Sequence, residues 1–237
     1  KAEMIGKNTD GGWAEYITVP SVNAVRMPES IDFKTGAVMM CSTATSFHAL
    51  KKSRMLPGES VAVFGVGGLG MSAIQLAYIL GAEEVFAVDI NKGRLEKANS
   101  LGAVAVNPAV ADPVEQIMAQ TDGTGVDVAL ELIGLKTTIE KAVSVLANMG
   151  RAAVAGICKV PISVDSYSQL VGKEGEIIGV SDHHLSEITE IFEFASKGKL
   201  DYSNIVTESL ALDADEINNV LKRLGAHGDG VRSLICP

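Results

Sequence analysis

From Val61 onward, short apolar stretches rich in β-branched residues alternate along the chain with longer, helix-like stretches. The apolar stretches are nearly continuous, which is typical of parallel strands that are buried on both faces of a sheet. The pattern therefore predicts an α/β fold with a doubly wound, six-stranded parallel sheet in the order 3-2-1-4-5-6. The predicted strands are 60–64, 84–88, 103–106, 126–132, 151–157 and 176–180, and the predicted helices are 71–80, 92–101, 113–121, 137–148 and 185–196.

The two ends of the chain do not follow this alternation. The N-terminal segment predicts strands at 13–20 and 23–27 and helices at 33–40 and 43–52, while the tail predicts a strand at 205–212, a helix at 213–224 and a strand at 231–235. We expect no βαβ unit from the tail. We expect residues 1–39 and 201–237 to pack together as a partial, β-rich second domain, and residues 40–200 to form the sheet domain.

The first strand runs directly into a glycine-rich loop, Gly65-Val66-Gly67-Gly68-Leu69-Gly70, which a helix follows. In a dinucleotide-binding βαβ unit, Gly65 permits the tight turn, Gly67 lets a pyrophosphate approach the backbone, and Gly70 lets the helix lie close to the sheet. The helix N-terminus offers free N–H groups and a positive dipole end to phosphates. If the glycine motif is considered alone, the alternative to a nucleotide site is a glycine-rich turn with a purely structural role.

The second strand of this unit ends on Asp89, nineteen positions after Gly70. A carboxylate at this point can accept hydrogen bonds from both ribose hydroxyls of NAD, and its charge would repel the 2′-phosphate of NADP. Strand, loop, helix and terminal acid thus predict an NAD site.

The composition excludes several other classes of partner. The 237 residues carry a formal net charge of −9 without a cluster of Lys and Arg, which argues against nucleic acid and anionic membranes. The sequence contains no uninterrupted apolar span of membrane length, and its first residues do not have the pattern of a signal peptide. Three widely spaced cysteines argue against a disulfide framework and favour a reducing, cytoplasmic setting. The chain begins at Lys1, and we expect it to be part of a longer polypeptide.

The glycine loop, Asp89 and the segment 40–50 together resemble the zinc-dependent medium-chain alcohol dehydrogenases. The resemblance covers essentially the whole chain, which is similar to the last two-thirds of such a protein. It implies that residues 1–39 and 201–237 belong to a GroES-like catalytic domain whose other zinc ligands lie upstream. It also implies hydride transfer between a small alcohol or aldehyde and NAD, with zinc as the Lewis acid.

By the same resemblance, Cys41 is a ligand of the catalytic zinc, and Thr45, one helical turn later, contacts the nicotinamide. Zinc favours thiolate and imidazole ligands, which agrees with this role. The alternatives are a cysteine that only packs in the core and a helix threonine that bonds to its own backbone.

Further cofactor contacts are implied on both sides of the glycine loop. Lys92 and Arg94 match positions that reach the adenosine ribose and its phosphate. The alternative is a solvated helix face, which is favoured for Lys92. Arg232 clamps the pyrophosphate, a task that suits a planar bidentate donor. The remaining implied contacts are Gly65, Gly67, Gly68, Leu69, Gly70, Asp89 and Ile90 on the adenosine side and Leu132, Ile133, Gly156 and Ile157 on the nicotinamide side.

Some residues stay outside this assignment. Gly134 and Gly156 are equally explained as turn residues, and 178–180 is a weaker candidate of the same kind. His183 and His184 are expected in an exposed loop, His48 is expected to be structural, and Glu131 is a strand-end acid without a visible partner.

Two rival functions and one assembly remain open. The chain could belong to a zinc-free quinone or enone reductase that uses NADPH, against which Cys41 and Asp89 both argue. It could also be a non-enzymatic NAD-binding protein, since the fold alone does not establish catalysis. The family pairs the edge strands of its nucleotide domains, and residues 161–171 occupy the matching region. We therefore expect a homodimer.

Overall fold

The predicted sheet is present in the computed structural model of the chain, which describes residues 4–203, 205–225 and 232–237. Six parallel strands lie in the order β3-β2-β1-β4-β5-β6, so the predicted doubly wound topology is confirmed. The strands are β1 (Ser60–Phe64), β2 (Glu84–Val88), β3 (Val104–Val106), β4 (Val126–Glu131), β5 (Leu146–Val154) and β6 (Glu176–Gly179).

Helices cover both faces of this sheet. They are α1 (Phe33–Val38), α2 (Ala44–Lys52), α3 (Gly68–Ile79), α4 (Lys92–Ser100), α5 (Pro113–Gln120), α6 (Lys136–Ser144) and α7 (Leu185–Ser196). Alternate strand residues feed two separate cores because successive side chains of a strand point to opposite faces. In β1, Val61 and Val63 join the core under α2, α3 and α7, whereas Ala62 and Phe64 join the core under α5 and α6.

The start of β5 differs from the prediction. The helix α6 ends at Ser144 and β5 begins at Leu146, although the sequence predicts a helix to residue 148 and a strand only from residue 151. Leu146 pairs with Val126, and the register then shifts before Val128 pairs with Arg151. Met149 has a positive φ of 60°, so the residues between these two pairs form an irregular turn within the strand.

The two strands predicted near the N-terminus are wrong. Residues 13–20 have no helical or strand hydrogen bonding, and within 23–27 the structure has only the end of a 3₁₀ turn at Ser21–Asn23. Trp13 and Tyr16 are 64% and 89% exposed. A β-forming sequence needs a neighbouring strand to pair with, and the described residues supply none here. Val25 and Met27 still pack against the core under α2 and α3.

The C-terminal tail also corrects the sequence analysis. Strand β7 (Val206–Ala211), helix α8 (Ala214–Gly225) and strand β8 (Arg232–Cys236) follow each other, and β7 pairs with β8 in parallel. The tail is therefore a βαβ unit, contrary to expectation, because a helix joins the two parallel strands. The predicted strand residue Val231 lies outside the described residues. Val206 and Leu234 pack against the same core as Val25 and Met27, while the division into domains at 39 and 200 stays a prediction.

In the part of the chain that the structure describes, the longest helices have 12 residues. None of these helices has both the length and the apolar character that crossing a membrane requires.

Candidate functional site

The glycine loop connects β1 to α3 and leaves the start of that helix open. Gly65 has φ +96°, which a residue with a side chain rarely adopts, and an added Cβ would lie 2.6 Å from Cγ1 of Ile133. Gly67 is the N-cap of α3 and has no side chain to bond the first N–H groups. A Cβ added at Gly67 would meet no heavy atom within 4 Å. The helix N-terminus thus faces open space, which suits an anion.

Two other glycines of the loop permit close approaches. A Cβ at Gly70 would overlap the carbonyl oxygen of Gly65 and lie 3.4 Å from Cγ1 of Val63. The closest neighbour of Gly70 is therefore the loop itself, and the sheet comes second. A Cβ at Gly68 would overlap Nε of Arg232, whose side chain lies across this first residue of α3. The structure thereby brings Arg232 to the end of the helix that is predicted to hold the pyrophosphate.

Asp89 is held in a fixed orientation beside this loop. Its side chain is 8% exposed, Oδ2 accepts a hydrogen bond from the Val66 backbone N–H at 2.8 Å, and Oδ1 accepts one from Asn91 N–H at 2.9 Å. Nη1 of Arg94 lies 4.0 Å from Oδ2. Each carboxylate oxygen has further lone pairs, so the group can still accept hydrogen bonds from a ligand.

A cavity of about 490 Å³ joins the glycine loop to Asp89 at the carboxyl ends of β1, β2 and β4. Ten of the predicted cofactor residues line it: Gly65, Gly67, Gly68, Leu69, Gly70, Asp89, Ile90, Arg94, Leu132 and Ile133. The cavity has the size of a small-molecule site and lies where ligands of parallel sheets gather. Pro108, Pro113, Leu135, Thr137, Thr138 and Lys141 also line it, and the sequence analysis did not single them out.

The other predicted contacts lie outside this cavity. Thr45 is buried in α2, Lys92 is exposed, and Ile157 is 84% exposed beyond the end of β5. Gly156 is not merely a turn residue, because a Cβ there would overlap the backbone nitrogen of Gly134. The loop after β4, which carries Gly134, and the loop after β5, which carries Gly156, are therefore in direct backbone contact.

Cys41 lies in a π-helical turn, Met39–Thr43, and is exposed. Turns of this kind often occur at functional sites. In the same turn, Oγ1 of Thr43 lies 3.1 Å from the Ser72 hydroxyl and 3.2 Å from the Tyr202 hydroxyl. These buried hydrogen bonds join the turn to α3, the helix that begins at the glycine loop. Burial raises the pKa of Tyr202 to about 12.

The described part of the chain does not provide a metal site by itself. It contains no group of three or more His, Cys, Asp and Glu side chains that could hold an ion. The described residues therefore offer Cys41 as a candidate zinc ligand but not the remaining ligands that zinc requires.

The three histidines among the described residues lie close to acidic or aromatic side chains. Nδ1 of His48 lies 3.0 Å from Oε1 of Glu187, and both side chains are buried. His184 is exposed and stacks edge-on against His48, while His183 is half-buried beside Asp182. Burial raises the pKa of Glu187, but hydrogen bonds from His48 and from the His184 N–H outweigh this and leave it below the ordinary value.

Glu131 is the residue that the sequence analysis left without a role. It is the last residue of β4 and is fully buried. Its Oε1 accepts hydrogen bonds from the N–H groups of Ile133 and Gly134, at 3.1 and 2.9 Å, and from the Thr138 hydroxyl at 2.6 Å. The strand-end acid is followed by Leu-Ile-Gly, and a threonine stands seven positions after the acid. This pattern is the signal that could have indicated the arrangement.

Fold and site together define a dinucleotide-binding α/β domain. The sequence profile of the zinc-binding dehydrogenases matches residues 68–197, so the chain belongs to that family. The predicted family is thus confirmed.

Individual relatives agree with this assignment. The chain is 34% identical over 223 residues to an alcohol dehydrogenase of Geobacillus stearothermophilus, covering 92% of this chain and 62% of that protein. It is 29% identical over 228 residues to an L-threonine 3-dehydrogenase of Bacillus velezensis, covering 95% of this chain and 65% of that protein. The alcohol dehydrogenase structure from Aeropyrum pernix is similar with a TM-score of 0.88 at 32% identity, covering 99% of this chain and 68% of that one. The chain thus spans less than two-thirds of the length of the curated relatives it matches.

Proposed function

We propose that this chain is the NAD-binding portion of a zinc-dependent alcohol dehydrogenase-like oxidoreductase that transfers hydride between an alcohol and NAD. The single observation that carries the proposal is the cavity in which the open N-terminus of α3 and the oriented carboxylate of Asp89 meet. Family membership and the relatives named as alcohol and threonine dehydrogenases support the reaction type. NAD, when bound, supplies the hydride acceptor, while the protein binds and orients it.

The choice of NAD over NADP rests on Asp89. Its two oxygens already accept N–H groups of Val66 and Asn91, which fix the carboxylate at the rim of the cavity. Two ribose hydroxyls can donate to the remaining lone pairs, whereas a 2′-phosphate would place two negative charges in contact. Arg94 at 4.0 Å offsets part of this repulsion and is the observation that favours the NADPH-dependent alternative.

The pyrophosphate would lie at the start of α3, next to Arg232. Gly67, the N-cap of α3, lines the cavity, and the guanidinium of Arg232 lies over the neighbouring Gly68. A helix N-terminus and a bidentate cation both favour an anion here.

The cavity also has apolar walls that suit a planar base. Ile90, Ile133 and Leu135 are 65%, 43% and 56% exposed, although large apolar residues are usually buried. All three line the same cavity, so a bound base would remove their surface from water.

For zinc, we propose Cys41 as one ligand, because it is exposed on a π-helical turn that the hydrogen bonds of Thr43 anchor. The other ligands would come from outside the described residues, so we derive no catalytic step through the metal. Thr45, one turn further along, remains a proposed nicotinamide contact, as do Gly156 and Ile157.

We also propose a cytoplasmic homodimer that takes a small alcohol or aldehyde as substrate. The strand β6 pairs only with β5 in the described sheet, and Ile177 on it is 38% exposed. Residues 161–165 are not a strand, so the edge available for pairing is β6, with the exposed Tyr167 and Val171 before it. The three free cysteines support a reducing location.

The experiment that tests the cofactor site is calorimetric titration of the Asp89→Asn variant with NAD and NADP. Hydrogen bonds to a charged group contribute about 1.5–3 kcal/mol, so we expect at least about tenfold weaker NAD binding and a reduced preference over NADP. Glu96→Gln, which removes an exposed acid of α4, the helix that follows Asp89, is the matched control and should change neither the NAD nor the NADP dissociation constant. Unchanged NAD affinity in Asp89→Asn would contradict the proposal.

A further inference from the structure

The fully buried carboxyl group of Glu131 uses only one of its two oxygens. Oε1 accepts three hydrogen bonds, while Oε2 has no hydrogen-bond partner among the described residues. Burying a polar oxygen without a partner is energetically unfavourable, so such an arrangement calls for an explanation.

The unused oxygen lies where two loops touch. A Cβ added at Gly156 would overlap both Oε2 of Glu131 and the backbone nitrogen of Gly134. A Cβ added at Gly134, which has φ +88°, would lie 2.6 Å from the backbone nitrogen and oxygen of Ile157. The carboxyl group therefore lies against the contact between the loop after β4 and the loop after β5.

We infer that Glu131 is a positioning residue that sets the spacing between these two loops and thereby shapes the nicotinamide half of the cofactor site. This inference rests on the proposed NAD site, since Ile157 is a proposed nicotinamide contact. Glu131 acts through its neighbours: Oε1 orders Ile133 and Thr138, which line the cavity, and Oε2 faces Gly156.

The start of the loop after β4 has supports that do not depend on the Glu131 side chain. The N–H of Leu132 donates to the Phe64 carbonyl at 3.0 Å, and the Ile133 side chain lies next to Gly65. Asp89 itself is held by Val66 and Asn91. The loop that carries Gly156 and Ile157 meets the neighbouring loop at the Glu131 backbone carbonyl and at the Gly134 contact. Loss of the carboxyl group should therefore affect the nicotinamide half more than the adenosine half.

The test is calorimetric titration of Glu131→Ala, Glu131→Gln and Gly156→Ala with NAD and with AMP, which carries only the adenosine half. We expect Glu131→Ala and Gly156→Ala to bind NAD at least about tenfold more weakly, with AMP affinity changed by less than about threefold. Glu131→Gln keeps an acceptor for Ile133, Gly134 and Thr138, so it should lie between wild type and Glu131→Ala. If the alanine variants fail to fold, the NAD and AMP affinities of Glu131→Gln provide the test.

Asp127→Asn is the matched control. Asp127 lies at the opposite end of the same strand, where its carboxylate accepts two hydrogen bonds from Ser60 at 2.8 Å. This variant should lose stability without changing the affinity ratio of NAD to AMP. Equal loss of both ligands, or no loss of either, in the Glu131 and Gly156 variants would overturn the inference. Wild-type protein that binds AMP but not NAD would instead refute the proposed function.

Discussion

Gly67 and Gly70 lie three positions apart, yet alanine should impair different properties at the two positions: ligand binding at Gly67 and stability at Gly70. A methyl group at Gly67 meets no atom within 4 Å and would occupy the cavity. Alanine reduces the conformational entropy of the unfolded chain, which stabilises the protein by about 0.4–1 kcal/mol, but it is a poorer N-cap than glycine and loses a similar amount. We therefore expect the free energy of unfolding to change by less than about 1 kcal/mol. Because the methyl group would prevent a backbone N–H from bonding the phosphate, NAD binding should weaken by about 1.5–3 kcal/mol, or roughly 10- to 150-fold.

At Gly70 the same methyl group overlaps the Gly65 carbonyl, a backbone atom of a tight turn that cannot move aside cheaply. Such overpacking costs about 1–3 kcal/mol, which lowers the melting temperature by roughly 2–4 °C per kcal/mol in a chain of this size. Thermal unfolding and NAD calorimetry on both variants provide the assay. Gly67→Ala protein that binds NAD like wild type would refute the proposed approach of the pyrophosphate to this loop.

Two further predictions concern buried polar groups. Tyr202→Phe removes the hydrogen bond to Thr43 and should lower the free energy of unfolding by about 1 kcal/mol at pH 8. Because burial raises the pKa of Tyr202 from 10.0 to about 12, its contribution is complete below pH 10 and is lost as the pH rises through 12. Urea unfolding at pH 8 and 11 should thus show the difference from wild type shrinking, and a constant difference would contradict this. His48→Phe should lower the free energy of unfolding by about 1–3 kcal/mol, since it removes the side-chain partner of the buried Glu187. The pKa of Glu187 lies below its ordinary 4.5, so its contribution to stability is present above pH 4.5 and is lost as the pH falls. Acid unfolding of the variant should therefore begin at a higher pH than that of the wild type. An unchanged acid transition would contradict a stabilising role of the His48–Glu187 pair.

The parts of the site that follow from local sequence were predictable. The run from Ser60 to Gly70 and the acid at position 89 specify their own geometry, because φ +96° at Gly65 and the open N-cap at Gly67 are properties of a few consecutive residues. The six-strand order followed from the alternation of strands and helices, which allows few other topologies. Ten predicted cofactor residues consequently line one cavity.

What could not be predicted depends on contacts between distant segments. The role of Glu131 emerges only when the loops carrying Gly134 and Gly156 meet, and the partner of His48 lies 139 residues away. The strands predicted at 13–20 and 23–27 failed for the same reason, since β-propensity describes a surface that can pair and says nothing about whether a partner is present. The parallel pairing of β7 with β8 could likewise not be predicted from local sequence patterns.

The central claim is that Asp89 and the open helix N-terminus form an NAD site. The most direct test is calorimetric titration of the unmodified chain with NAD and NADP under identical conditions. The structure predicts binding of NAD at least about tenfold tighter than binding of NADP, equivalent to about 1.4 kcal/mol. Tighter binding of NADP, or binding of neither dinucleotide, would contradict the account.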